Sequence, residues 1–120
     1  MMVKVLFVDD DEYILTAYQR MLRNTGFDCI FLSTPELIWQ QPELDQLDIV
    51  VADHHMPGLN GTELLEQLAK RYPKIKRVLI SGDLYSACRY QGAMLYHATL
   101  EKPCSKASVL QCLTELSGLL

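Results

Sequence analysis

The chain has 120 residues, 49% hydrophobic and 22% charged, which suits one ordinary globular domain, residues 1–120, around a single core. No stretch approaches the roughly 18 apolar residues of a membrane span, and Met1-Met2-Val3-Lys4 does not open a signal peptide, so a cytoplasmic location is expected. The four cysteines, Cys29, Cys88, Cys104 and Cys112, lack Cys-x-x-Cys spacing, and the charge of −4 gives no reason to expect nucleic acid as a direct partner.

Residues 3–8 form a valine-rich apolar run too short for a helix, which reads as a strand covered on both faces. The period then changes. Ile14, Leu15, Tyr18, Met21 and Leu22 recur at helical spacing, with Asp10 or Asp11 available as the cap and Gly26 as the stop. Residues 29–32 are a second short apolar run. Thr34-Pro35-Glu36 predicts a short helix over 36–41, with threonine as cap and proline at its first position.

Residues 49–52 read as a third strand, ending at Asp53. The loop that follows, His54-His55-Met56-Pro57-Gly58-Leu59-Asn60-Gly61, is rich in turn formers, and Pro57-Gly58 matches the centre of a type II turn. Asn60 with Glu63 three residues on predicts a capped helix whose inner face is Leu64, Leu65, Leu68 and Tyr72. The basic run from Lys70 to Arg77 reads as a solvated turn. Residues 77–81 predict a fourth strand, 84–91 a weak helix, 95–100 a fifth strand, and Ser105 a cap for a last helix carrying Val109, Leu113 and Leu116 on one side.

Strand and helix thus alternate five times, which implies a parallel sheet with right-handed crossovers and helices on both faces. Sites in such sheets form outside the carboxyl ends of the strands. Asp9 and Asp10 follow the first strand, Asp53 ends the third, Ser81 ends the fourth and Lys102 follows the fifth, so all five fall on one edge. Carboxylates crowded together repel one another and favour a hard divalent cation, Mg²⁺ above all, because it takes one or two carboxylates and keeps waters or phosphate oxygens. Lys102 then offers a positive charge, and Ser81 a hydroxyl, to a phosphoryl group arriving at Asp53. His54 and His55 lack a third ligand at suitable spacing and read as loop residues, His97 as structural, and Tyr85, Tyr90 and Tyr96 as packing or rim aromatics.

Four motifs together resemble the receiver domain of a bacterial two-component response regulator over essentially the whole chain. They are Val-Asp9-Asp10, Asp53-x-x-Met-Pro-Gly58, Ser81-Gly82 and Lys102-Pro103. The resemblance implies a flavodoxin-like (βα)5 fold, a doubly wound parallel five-stranded sheet in the order 2-1-3-4-5. It implies Asp53 as the phosphoacceptor, Asp10, Asp53 and the His55 backbone carbonyl as Mg²⁺ ligands, Asp9 binding through water, Ser81 as the switch hydroxyl, Lys102 as the phosphate contact, and a cis Lys102-Pro103 peptide.

It also implies a signalling switch rather than an enzyme, beyond transfer to itself and autodephosphorylation. The partners would be a sensor histidine kinase or phosphotransfer protein, and an output domain or downstream protein meeting the fourth helix, fifth strand and last helix, with no membrane involved. One position departs from the pattern: Thr99 stands where the family has an aromatic residue. That departure leaves a second reading, a receiver-like interaction module not controlled by phosphorylation. Asp9-x-Asp11 partly matches a haloacid dehalogenase nucleophile motif, but Tyr13 and the short chain count against that hydrolase.

Overall fold

The computed structural model describes residues 2–56, 58–82 and 96–118. Five strands, β1 (Lys4–Val8), β2 (Asp28–Leu32), β3 (Ile49–Asp53), β4 (Lys76–Ser81) and β5 (Ala98–Glu101), form one parallel sheet in the order β2-β1-β3-β4-β5. The expected sheet and strand order are therefore observed. The first two strands begin one residue away from their expected starts, β3 and β4 each gain one residue, and the fifth lies later, at 98–101 rather than 95–100. The weak helix expected over 84–91, together with Tyr85, Cys88 and Tyr90, lies outside the described residues.

Alternate side chains of each strand go to opposite faces, and the sheet therefore builds two cores. On one face Val5, Phe7, Ile49, Val51, Val78, Ile80 and Leu100 pack against α1 (Glu12–Leu22) and α3 (Lys106–Ser117). On the other, Leu6, Val8, Val50, Ala52 and Leu79 pack against α2 (Gly61–Arg71), and Ile38, Leu44 and Leu47 lie with them. All of β3 is buried, consistent with its apolar run and central place. Leu64, Leu65 and Leu68 are fully buried, each side chain stabilising the fold by about 1.5–3 kcal/mol relative to exposure.

The helix ends resolve several expectations. Asp11, not Asp10, caps α1, its carboxylate accepting from the N–H groups of Tyr13 at 2.9 Å and Ile14 at 3.4 Å. Asp10 is left for the site. Helix α1 ends at Leu22, before Gly26, because the Thr25 hydroxyl and N–H both turn back onto the Leu22 carbonyl. Asn24 and Gly26 then turn the chain at φ 62° and 89°. Asn60 and Ser105 cap α2 and α3 through the N–H groups of Glu63 and Ser108.

The helix expected over 36–41 is instead a 3₁₀ helix, Pro35–Gln40, and the Thr34 side chain makes no capping hydrogen bond. Pro42 disfavours helical geometry at Gln41, which is extended at ψ 128°, so the segment stops after two tight turns. A second 3₁₀ turn, Leu44–Gln46, delivers the chain to β3.

The basic run also differs from a simple solvated turn. Lys70 pairs with Glu66, and Arg71 lies over the Trp39 ring at 4.3 Å. Arg77 is buried on β4, where its guanidinium donates to the Ile75 carbonyl at 3.1 Å and the Pro73 carbonyl at 3.4 Å. His97 is structural, as expected. Its Nδ1 accepts the Arg77 N–H at 3.0 Å while its own N–H donates to the Arg77 carbonyl at 2.7 Å, which carries the β4–β5 pairing beyond the strand.

Candidate functional site

The carboxyl ends of four strands assemble the site. Asp9 leaves β1 and is 2% exposed, Asp53 is the last residue of β3 at 5%, Ser81 is the last of β4 at 0%, and Lys102 follows the end of β5. Apolar strands bring the backbone to these points, and the polar residues begin where the core ends. Asp9, Asp10 and Asp53 each present a carboxylate oxygen within 4.8 Å of the others. Lys102 Nζ bridges two of them, 3.3 Å from Asp9 Oδ2 and 3.2 Å from Asp53 Oδ1. Three carboxylates against one ammonium leave a local excess of negative charge, and that donor set suits a hard divalent cation.

Each group is held from its own side. Asp9 Oδ1 accepts the Asp11 N–H at 2.9 Å, so the residue that caps α1 also orients its neighbour in the site. The Lys102 N–H donates to the Ser81 carbonyl at 2.9 Å, which ties the two late residues together, and the Lys102-Pro103 peptide is cis, as expected. Gly58 has φ 81°, the left-handed conformation that the third position of a type II turn requires, while Pro57 lies outside the described residues. The His54 carbonyl accepts the Gly61 N–H at 3.0 Å and closes the loop onto the start of α2.

The electrostatics follow from this packing. Burial raises the Asp9 carboxyl above the ordinary aspartate value of 3.8; the Asp53 charge adds to the rise, and the Asp11 N–H and Lys102 oppose it. Burial, rather than carboxylate repulsion, is the larger cause. For Lys102 burial would lower the ammonium, but Asp53 and Asp9 outweigh it and the net shift is upward. The Tyr18 phenol, beneath the same edge, is pushed far up by burial first and then by Cys104, Asp9 and Asp53. A mainly apolar cavity of about 350 Å³ opens beside Lys102 between Ile14, Tyr18, Met21 and Cys104.

The remaining candidates fall into place around this cluster. His55 is exposed two residues after Asp53, and its ring meets that of buried His54 edge-on at 4.8 Å. Thr99 is half-buried on β5 opposite Leu79, on the α2 side of the sheet, and Tyr96 packs against the same apolar cluster. Of the cysteines, Cys29, Cys104 and Cys112 are free thiols, with Cys29 and Cys112 raised to about 11 by burial.

Residues 5–114 match the family model described as the response regulator receiver domain. The chain belongs to the response regulator receiver family. This receiver domain is 30% identical to the sensory/regulatory protein RpfC of Xanthomonas campestris pv. campestris over 125 residues, covering 96% of the chain and 16% of that protein. It is 37% identical over 68 residues to the alkaline phosphatase synthesis transcriptional regulatory protein PhoP of Bacillus subtilis, covering 57% of the chain and 28% of that protein.

Among solved structures, the chemotaxis protein CheY4 of Vibrio cholerae superposes with a TM-score of 0.84 at 20% identity, covering 97% of this chain and 99% of that one. The chain spans less than a third of the length of RpfC and PhoP. Its function is that of a receiver domain in two-component signal transduction. The phosphorylation-independent module and the hydrolase are not favoured. Among the described residues, no helix is long and apolar enough to cross a membrane.

Proposed function

We propose that residues 1–120 act as one receiver unit in the cytoplasm and that Asp53 is its phosphoacceptor. The observation that carries this reading is the Asp53 carboxylate itself, held at the tip of the central strand 3.2 Å from Lys102 Nζ and within 4.8 Å of Asp9 and Asp10. An Asp53 oxygen attacks the phosphorus of a sensor kinase's or phosphotransfer protein's phosphohistidine. The O–P bond forms as the donor's N–P bond breaks, and the electron pair leaves on the imidazole nitrogen.

Asp10, Asp53 and the His55 backbone carbonyl would hold Mg²⁺, with Asp9 binding through water. When bound, that ion supplies positive charge against the repulsion between the incoming phosphoryl group and the carboxylates. Lys102 exchanges its contact with Asp53 for one with a phosphoryl oxygen, and the Ser81 hydroxyl donates to another. Loss of the phosphoryl group then occurs by self-directed hydrolysis, with no external substrate turned over. The output surface comprises residues 84–91, β5 and α3.

The test is phosphorylation by acetyl phosphate in Mg²⁺, with the adduct located by mass spectrometry. Modification at Asp53 that is lost in Asp53→Asn and on chelation is expected. An unmodified wild type, or an Asp53→Asn protein modified equally, would refute the assignment.

A further inference from the structure

Gly61, the first residue of α2, packs directly on the backbone of the residue proposed as phosphoacceptor. A Cβ at position 61 would lie 2.3 Å from the Asp53 carbonyl oxygen, 2.8 Å from its carbonyl carbon and 3.0 Å from the His54 Cα. All three neighbours are main chain, in the last residue of β3 and the residue after it, where Asp53 pairs with Ile80 of β4 and the His54 N–H donates to the Ile80 carbonyl at 2.8 Å, so no side chain can swing aside to make room. The helix cannot easily retreat either. Asn60 Oδ1 accepts the Glu63 N–H at 2.8 Å and the Thr62 hydroxyl at 2.7 Å, and Leu64 and Leu65 are fully buried one turn on.

Gly61 also makes the second contact of this junction, donating its N–H to the His54 carbonyl at 3.0 Å. One residue thereby sets both the height of α2 over the Asp53-His54 peptide and the closure of the loop from His54 to Asn60. We propose that Gly61 is a positioning residue for phosphoryl transfer: the absence of a side chain lets α2 clamp the Asp53 peptide and hold its carboxylate against Lys102, Asp9 and Asp10. This inference rests on Asp53 being the phosphoacceptor. Transfer needs near-attack geometry, and a misplacement of the order of 1 Å costs roughly 100-fold in rate. The 2.3 Å approach cannot accept a Cβ without a displacement of that order.

The experiment compares Gly61→Ala with Gly26→Ala in acetyl phosphate labelling of the full chain at saturating Mg²⁺, with melting temperature measured alongside. Gly26 also carries a conformational demand, φ 89°, but a Cβ there meets nothing within 4 Å, so it serves as a destabilised control remote from the site. Gly61→Ala is expected to label Asp53 at least roughly tenfold more slowly per folded molecule, while Gly26→Ala stays within about twofold of wild type. Gly61→Ala labelling at the wild-type rate, or slowing no more than Gly26→Ala at equal loss of melting temperature, overturns the proposal.

A measurement on the wild type guards against a variant that does not fold. Adding Mg²⁺ and beryllofluoride should slow hydrogen exchange of the Gly61 amide, and unchanged exchange at that amide when the ligands bind also overturns it. Failure of the underlying assignment is distinguishable, because the wild type itself would then carry no adduct on Asp53.

Discussion

Replacing Lys102 with methionine separates the electrostatics of the site from its packing, since the two side chains have similar length and only the charge is lost. At an effective dielectric constant of about 20, the contacts at 3.3 and 3.2 Å to Asp9 and Asp53 are each worth about 5 kcal/mol of attraction before desolvation. Part of that offsets the repulsion between the two carboxylates, and part offsets the cost of burying the ammonium. Removing one partner of a fully buried pair typically costs about 3–5 kcal/mol. The Lys102 side chain is a quarter exposed, which brings the expected loss for Lys102→Met at neutral pH down to about 1–3 kcal/mol.

Two signatures distinguish this from a lost apolar contact. Asp9 is already raised above 3.8 and rises further without Lys102, so the folded state binds the proton more tightly than the unfolded one. By linkage, the penalty is absent below 3.8, sets in as the pH rises toward the folded value, and is complete above it. The variant should therefore lose more stability near neutrality than at acid pH. Mg²⁺ should also stabilise the variant more than the wild type, because Lys102 no longer competes for the carboxylates; a ligand at 100 times its dissociation constant contributes about 2.7 kcal/mol. Urea denaturation with and without Mg²⁺ across the acid to neutral range reads both effects. A variant as stable as wild type at pH 7 without Mg²⁺, or a smaller gain from Mg²⁺ in the variant, would refute the reasoning.

Two other expectations concern β5. Burial first, then Arg77 and Lys76, lower the His97 imidazole below its ordinary 6.5, and its Nδ1 can accept the Arg77 N–H only when neutral. Stability should thus fall as the pH drops through about 6.5 toward the folded value, and His97→Ala, though less stable overall, should lose that component; an unchanged slope in His97→Ala denaturation curves would remove His97 as the cause. Thr99 is too small to exchange a large apolar area between outer and inner positions, so at about 25 cal/mol per Å² its contribution to a phosphorylation-driven population shift is small. Beryllofluoride should accordingly move amide NMR signals of Ala98–Glu101 only modestly, and large shifts undiminished in Tyr96→Ala would show that Thr99 does not blunt the response.

The alternation of elements and the place of every site residue at a strand's carboxyl end were legible in the chain, because burial repeats with the geometry of each element. A two-faced strand reads as an unbroken apolar run, as in residues 5–8 and 49–52, and a helix packed on one side repeats its leucines, as Leu64, Leu65 and Leu68 do. Asn60 and Ser105 act through hydrogen bonds within four residues, so their sequence neighbourhoods sufficed. Other assignments depended on partners far along the chain.

Whether Asp10 or Asp11 caps α1 was open locally. The answer came from the crossing of strand ends that draws Asp10 toward Asp53. The bond from the Arg77 N–H to His97 Nδ1 and the bridge from Lys102 to Asp9 span 20 and 93 residues, and only the assembled sheet brings these pairs together. Gly61 shows the same division most clearly. In sequence it is a small residue inside a helix cap, and its demand for a missing Cβ comes from α2 lying on the Asp53-His54 peptide, an approach set by packing against the sheet that leaves no periodic trace in the chain.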